Sequence, residues 1–416
     1  MNCRNLILSN TPEFVYNLLI SIGKSGEKTG VPAYVVGGFI RDLLVGRRNL
    51  DIDIVVEGEG INFARQIAEK INGKIKTHDQ FGTAVVILPD GFKIDFATAR
   101  TEVYEYPGAL PTVNPASIKD DLYRRDFTIN SMAVKLTGDF GELVDCFNGQ
   151  RDLKYGYIRI LHDLSFQDDP TRMFRAVRYE KRYDFSIEKH TQELLQQAVS
   201  KGYLENISRQ RIRNELFLIL SEDNPLPAIQ RVEELGLLKY IHPCIEIYGD
   251  IISLFDKIGE LSKSWDQETD LVLVYLLALL DQLHLDKAIE LSEDLVLQSK
   301  YTDALIASKI KIHNISELNG NLRNSIIYNA FKDISSELVL YFMAKFENIR
   351  EAALYYINEI KDIKPILTGR DLLEVGYPKG PIYSEILDRV FSAQLDGIIS
   401  DRKQALEYVK KNFFKE

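Results

Sequence analysis

Two carboxylates one residue apart, Asp51 and Asp53, stand in the segment LDIDIVVEG. Carboxylate and aliphatic side chains alternate there, the period-two pattern of a half-buried strand. Residues i and i+2 of a strand share a face. Side-by-side anions repel unless a cation lies between them, and hard oxygen ligands with positions open to phosphate suit Mg²⁺. The alternative is a solvated strand face, where D-x-D is common. Upstream, the pair Gly37-Gly38 follows the short strand AYVV and precedes Arg41-Asp42. A glycine turn lets backbone N–H groups cradle a phosphate where a Cβ would obstruct it. Arg41 can hold a phosphate oxygen in its guanidinium fork. Asp95, in FKIDFATAR, lies on a later strand. Beside Asp51 and Asp53 it would complete a three-carboxylate site, in which two metals activate an attacking hydroxyl and stabilise a leaving pyrophosphate. Otherwise it is a surface residue of an edge strand.

Two arginine-bearing segments follow. Arg124-Arg125-Asp126 precedes the apolar stretch FTINSMA, where adjacent cations need anions. A triphosphate or RNA phosphate would serve, and so would a local bridge to Asp120 or Asp121. In DDPTRMFRAVRY, Asp169 is expected near a helix N-cap with Pro170 at the first helical position. Asp169, Arg172 and Arg175 then form one drifting stripe, extended by Arg178. A carboxylate acceptor beside a guanidinium donor can read a Watson–Crick edge, and further arginines can meet phosphate. The alternative is a capped, salt-bridged amphipathic helix. Arg209, Arg211 and Arg213 make another basic cluster, read as a mixed-charge helix surface more readily than an RNA contact. No histidines pair at metal-ligand spacing. Neither a G-x-x-x-x-G-K-[ST] loop nor a G-x-S-x-G elbow is present.

The elements that must position these residues divide the chain in two. Up to about residue 160, strands alternate with helices. AYVV, LDIDIVV, TAVVIL and FKIDFATA read as strands, the last two joined by a Pro-Asp-Gly turn. FIRDLLVG reads as a short helix, and INFARQIAEKING as a helix stopped by Asn-Gly. A helix around residues 12–22 opens the chain, and the proline-rich residues 101–120 are expected to be a loop. After Leu161 nearly everything has 3.6-residue periodicity. The 416 residues carry 51 Lys+Arg against 61 Asp+Glu, a net charge of −10. So acidic a chain is no general nucleic-acid coat, and RNA would need a local basic patch. Three separated cysteines make no disulfide framework and suit a reducing cytoplasm. The longest apolar run, Leu271 to Leu280, falls short of the roughly 20 residues that span a bilayer.

Five ordered motifs carry a family resemblance: VVGGFIRDLLVGRRNLDIDIVV, ATARTEVYEYPGALP, DDLYRRDFTINSMA, VDCFNGQRDLKYGYIRIL and DDPTRMFRAVRY. Over roughly residues 33–240 the sequence resembles the class II tRNA nucleotidyltransferases, the CCA-adding enzymes and their bacterial poly(A) polymerase relatives. LTGRDLLEVGYPKGPIYSEIL resembles their C-terminal helical signature. The resemblance implies a polymerase-β-like α/β head with a mixed five-stranded sheet, then all-α neck, body and tail. The boundaries would be 1–30 for an N-terminal helix and linker, 31–160 head, 161–240 neck, 241–365 body and 366–416 tail. Asp51 and Asp53 match the metal-binding pair, and Asp95 a carboxylate on a neighbouring strand. Gly37-Gly38, Arg41 and Arg125 match contacts to the nucleotide's phosphates and sugar. Asp169 and Arg172 match the pair that templates the base of CTP or ATP, and Arg175 and Arg178 match nucleotide-contacting arginines. Where the family has Glu-Asp before the proline, this chain has Asp168-Asp169. Implied partners are the tRNA 3′ end, CTP, ATP and Mg²⁺, with no membrane. CCA addition is the default; YEYPGALP and SFQDDPTR resemble members that add only the terminal A, which require a separate CC-adding enzyme. The poly(A) signature is missing from KIKTHDQFGTAVV. A small-molecule nucleotidyltransferase would not need the helical arm, and a non-catalytic RNA-binding relative would not need both Asp51 and Asp53.

Overall fold

The computed structural model describes residues 1–318, 320, 322–374, 376–377 and 380–413. The tail signature over residues 367–387 therefore lies partly outside the described residues, at Val375, Pro378 and Lys379. Two compact units form: Met1–Glu222 with Pro227–Ile241, and Asp223–Leu226 with His242–Glu416.

The first unit opens with two helices rather than one, α1 (Arg4–Asn10) and α2 (Glu13–Thr29). Gly23 and Gly26 do not stop α2. Both are buried, and a Cβ on Gly23 would sit 2.1 Å from the Leu136 carbonyl oxygen, so the glycine permits close backbone approach. Then come β1 (Ala33–Val36), α3 (Gly38–Leu44), β2 (Ile52–Val56), α4 (Gly60–Lys70), β3 (Lys74–His78), β4 (Thr83–Ile87) and β5 (Lys93–Thr98). A hairpin, β6 (Arg100–Val103) with β7 (Thr112–Pro115), leads to α5 (Ile118–Tyr123), β8 (Ala133–Lys135), β9 (Leu143–Val144), α6 (Gly149–Tyr155) and β10 (Tyr157–Ile158).

The head is a mixed sheet, as expected, but with seven strands rather than five, in the order β3-β4-β5-β2-β1-β8-β9. β2 and β5 run parallel and the other neighbours antiparallel. KIKTH offers a single aliphatic residue, so β3 has little periodic signal of its own. Pairing with β4 from Lys74↔Ile87 to His78↔Thr83 makes it a strand. Residues 101–120 are not a plain loop. β6 and β7 pair from Arg100↔Pro115 to Val103↔Thr112, and Pro115 lies at the end of this two-stranded ribbon, where its missing N–H is tolerated. Ile54, Ile94 and Phe96 are buried at 0–1% exposure, with Phe96 packed on Phe63 of α4. This apolar layer fixes the register of β2 against β5.

Beyond β10 the chain is helical: α7 (Ser165–Asp168), α8 (Arg172–Tyr183), α9 (Lys189–Ser200), α10 (Arg209–Leu220), α11 (Leu226–Glu234) and α12 (Leu238–Ile241). One two-residue strand, β11 (Ser186–Ile187), interrupts the pattern by pairing with β10. In the second unit, α13 (Gly249–Ser262) is followed by α14 (Leu271–Leu279), which carries the long apolar run. Leu273 to Leu279 are all buried, and the Asp270 carboxylate caps α14 by accepting from the Leu273 N–H at 3.3 Å. Among the described residues, no helix is long and apolar enough to cross a membrane.

Phe96→Ala should empty the layer that aligns β2 with β5 and cost about 3–5 kcal/mol. Chemical denaturation should show it as a lower midpoint for the first unit. A loss below about 1 kcal/mol would contradict the packing described.

Candidate active site

The parallel register sets Asp53 directly opposite Asp95. Asp51 lies one residue ahead of β2, exposed, with its backbone N–H donated to Asn49 Oδ1 at 2.8 Å. The pair is thus half strand and half turn rather than two strand residues. Gly37, at φ 73° and ψ −135°, turns β1 into α3. A Cβ there would lie 3.0 Å from Arg125 Nη1 and 3.6 Å from Asp53 Oδ2, so bare backbone faces both. Burial pushes the Asp53 carboxyl up to about 6; Arg125 opposes the shift, and Asp51 and Asp95 add to it. Asp95 is raised by burial and by Asp51. Mutual repulsion between the exposed Asp51 and the half-buried Asp53 and Asp95 fits a divalent cation held by Asp51 and Asp53. Among the described residues, no group of three or more His, Cys, Asp or Glu is arranged to hold a metal ion. The three-carboxylate arrangement of Asp51, Asp53 and Asp95 weighed from the sequence is thus no such group, which leaves Asp51 and Asp53 as the candidate pair.

The arginines are fixed by the protein. Arg41 donates Nε and Nη2 to Asp42 at 3.0 and 2.9 Å, and Nη1 to Asn130 at 2.5 Å. It also lies over the Tyr179 and Tyr183 rings, and Tyr183 donates its hydroxyl to Asp42. Arg124 and Arg125 both bridge the buried Asp121, at 2.7 and 3.1 Å, so the local bridge weighed from sequence forms. α8 starts at Arg172 with Thr171 as its N-cap, so Asp169 lies near the cap as expected, whereas Pro170 precedes the helix rather than opening it. Asp169 Oδ1 accepts from Thr171 N (3.0 Å), Thr171 Oγ1 (2.6 Å) and Arg211 Nη2 (2.7 Å). Three donors saturate one oxygen and leave Oδ2 available. Arg172 is buried, giving Nη1 to Ser165 Oγ and Nη2 to the Arg124 carbonyl, both at 2.7 Å. Arg175 grips Asp126 with Nε and Nη2 at 2.9 and 2.6 Å. Arg178 stands 3.7 Å from Glu222.

A cleft of about 910 Å³ is lined by Gly37, Gly38, Arg41, Asp51, Asp53, Arg125, Asp169, Arg172, Arg175 and Arg178, whereas Asp95, Arg209 and Arg213 are not among its lining residues; Asp95 stays beside Asp53 through the strand register. Such a lining suits a nucleotide whose phosphates would meet a cation at Asp51 and Asp53 and whose base would meet Asp169.

Residues 33–159 match the family model described as the Poly A polymerase head domain, and 184–248 match that of the probable RNA and SrmB-binding site of polymerase A. The chain is 41% identical over 413 residues to an A-adding tRNA nucleotidyltransferase of Geobacter sulfurreducens, covering 96% of this chain and 47% of that protein. It spans about half of that relative's length. It is 32% identical to an A-adding tRNA nucleotidyltransferase of Halalkalibacterium halodurans, over 95% of this chain and 92% of that one. It resembles the Thermotoga maritima CCA-adding enzyme solved with tRNA at a TM-score of 0.76 and 36% identity, over 100% of this chain and 99% of the other. The chain belongs to the tRNA nucleotidyltransferase family.

Sequence reasoning missed several residues that this family member brings to its cleft: Tyr104 and Leu110 from the β6–β7 connection and Glu215 from α10. Arg211 of α10, read from the sequence as a mixed-charge surface residue more readily than an RNA contact, also lines it. Arg211 is no plain surface residue, because it holds Asp169. The available signal was its i, i+4 spacing from Glu215, which sets both on one face of α10.

The raised Asp53 carboxyl has a thermal signature. A folded-state value of about 6, against 3.8 ordinarily, destabilises the metal-free protein above about pH 6 and costs nothing below about pH 4. In EDTA, Asp53→Asn should gain about 1–3 kcal/mol at pH 7.5 and nothing at pH 4. An equal change in melting temperature at both pH values would contradict the assignment.

Proposed function

We propose that the cleft transfers a nucleotide from ATP or CTP to the 3′-hydroxyl of tRNA with Mg²⁺, releasing pyrophosphate, and that its product is the terminal A. The observation that carries this is the single cleft joining the Asp51–Asp53 carboxylates to the Asp169–Arg172 pair. Asp51 and Asp53 would hold the metal. When bound, the metal supplies charge neutralisation at the attacking and leaving oxygens. The Gly37 turn and Arg125 seat the triphosphate beside Asp53. Asp169 Oδ2 accepts from the base's exocyclic amino group, while Arg172 offers N–H donors not already given to Ser165 and the Arg124 carbonyl. Rate enhancement then comes from positioning and preorganised charge. No nucleic-acid template is required. Residues 161–240 would form the neck, 241–365 the body and 366–416 a tail, with neck and tail following the tRNA.

Addition of A alone is supported by the names of the two curated relatives, and it requires a separate CC-adding enzyme in the same cell. Full CCA addition is the second reading, favoured by the 36% identity to a CCA-adding enzyme over 99% of its length. The cytoplasm is the compartment that suits tRNA and three free cysteines.

The test uses tRNA transcripts ending at the discriminator base, at CC and at CCA, each with CTP, ATP or both. Extension of the CC-ended tRNA alone, by one A, is expected. CTP extension of the first transcript establishes full CCA addition instead, and long A tails establish poly(A) synthesis. Asp51→Ala should lower incorporation about 10²-fold or more while tRNA binding stays near wild type. Retained turnover would sink the metal assignment.

A further inference from the structure

The face of α10 that bears Arg211 also bears Glu215, which is only 8% exposed and lines the cleft. Its carboxyl is poorly served. Oε1 stands 3.8 Å from Arg175 Nη1, but Arg175 has already committed Nε and Nη2 to Asp126. Oε2 is buried and accepts no hydrogen bond. Across from α10, Arg178 of α8 is 6% exposed, lines the same cleft, and has a buried Nε–H without an acceptor. Burial raises the Glu215 carboxyl, Arg175 and Arg178 pull it down, and Asp169 and Asp126 push it up.

An orphaned buried acceptor or donor costs about 1–3 kcal/mol, and native proteins keep few of them. Here the Glu215 acceptor and two donors, Nε of Arg178 and Nε of Arg125, face the same cleft; Arg125 lies against Gly37 and Asp53, so Arg178 of α8 is the donor across from Glu215. Their complement is an edge with an N–H beside a lone pair. Adenine and cytosine present that edge as an amino group next to a ring nitrogen. Guanine and uracil present a carbonyl where the amino group would be, and its lone pairs would meet the carboxylate. We infer that Glu215, with Arg178, forms a second reading pair for the amino edge of adenine or cytosine, making Glu215 a specificity-determining residue. The inference rests on the nucleotidyl-transfer reading. The edge has two sources, the incoming nucleotide and the terminal cytosine of the CC-ended tRNA.

The experiment is steady-state incorporation by wild type, Glu215→Ala and Glu215→Gln. Nucleotides are ATP, CTP, GTP and UTP; tRNAs end in CC or CU. Because the carboxyl is costly where it lies and Asp126 still holds Arg175, Glu215→Ala should fold, with a melting temperature near wild type. A rise of about tenfold in the nucleotide KM with loss of selection against GTP and UTP assigns the pair to the incoming base. A similar rise in KM for the CC-ended tRNA alone assigns it to the primer. Either result supports the inference, and Glu215→Gln, which keeps an acceptor oxygen, should recover most of the loss. Unchanged KM values and selectivity overturn it. So does a fall in kcat alone that Gln does not rescue, because packing would explain that. Should wild type extend no tRNA, the proposed function fails separately. Calorimetric binding of ATP and GTP then decides for Glu215: a lost preference for ATP in Glu215→Ala supports it, and an unchanged preference overturns it.

Discussion

Carboxylate crowding at the ends of β2 and β5 is the constraint on which the rest of the structure depends. Asp53 and Asp95 are opposed by strand register, and Asp51 adds a third charge from the turn before β2. Nothing in that register relaxes the repulsion, because the buried Ile54, Ile94 and Phe96 layer holds it. The fold therefore stores an unfavourable concentration of charge where a cation and a phosphate can relieve it. Gly37 extends the same logic: without a side chain, its backbone approaches both Asp53 and Arg125.

The remainder of the cleft is a problem in holding arginines still. Each of Arg41, Arg124, Arg125, Arg172 and Arg175 is tied to a carboxylate, carbonyl, amide or hydroxyl oxygen of the protein. Buried guanidinium groups are costly without such partners. Once paired, they present their remaining N–H groups in fixed directions, which is what recognition of phosphate and base edges requires. The same pairing reconciles an acidic chain with an anionic ligand, since the local charge is arranged rather than summed.

Much of the head was legible in the sequence because its signals are local. Alternation marked β2 and β5, Asn-Gly marked the end of α4, and Gly37-Gly38 marked the turn facing the carboxylates. The site residues could be chosen from type and spacing before their meeting was visible. What stayed hidden depends on long-range partners. β3 exists by pairing with β4, and the β6–β7 hairpin was masked by its prolines. Pro170 pointed to a helix start two residues early, because the Asp169 side chain turns back onto Thr171 before α8 begins. Arg211 looked like a helix-surface charge and Glu215 drew no reading, and only the packing of α10 against α8 gives them the cleft.

The most direct test of the central claim is calorimetric titration of Mg²⁺ into the metal-free protein at pH 7 and pH 5. If burial, with Asp51 and Asp95 beside it, raises Asp53 to about 6 and the cation relieves it, binding must displace a proton at the lower pH. Affinity should be about tenfold weaker at pH 5 than at pH 7, with proton release detected in buffers of different ionisation enthalpy. Equal affinity at both pH values, with no proton released, would contradict it.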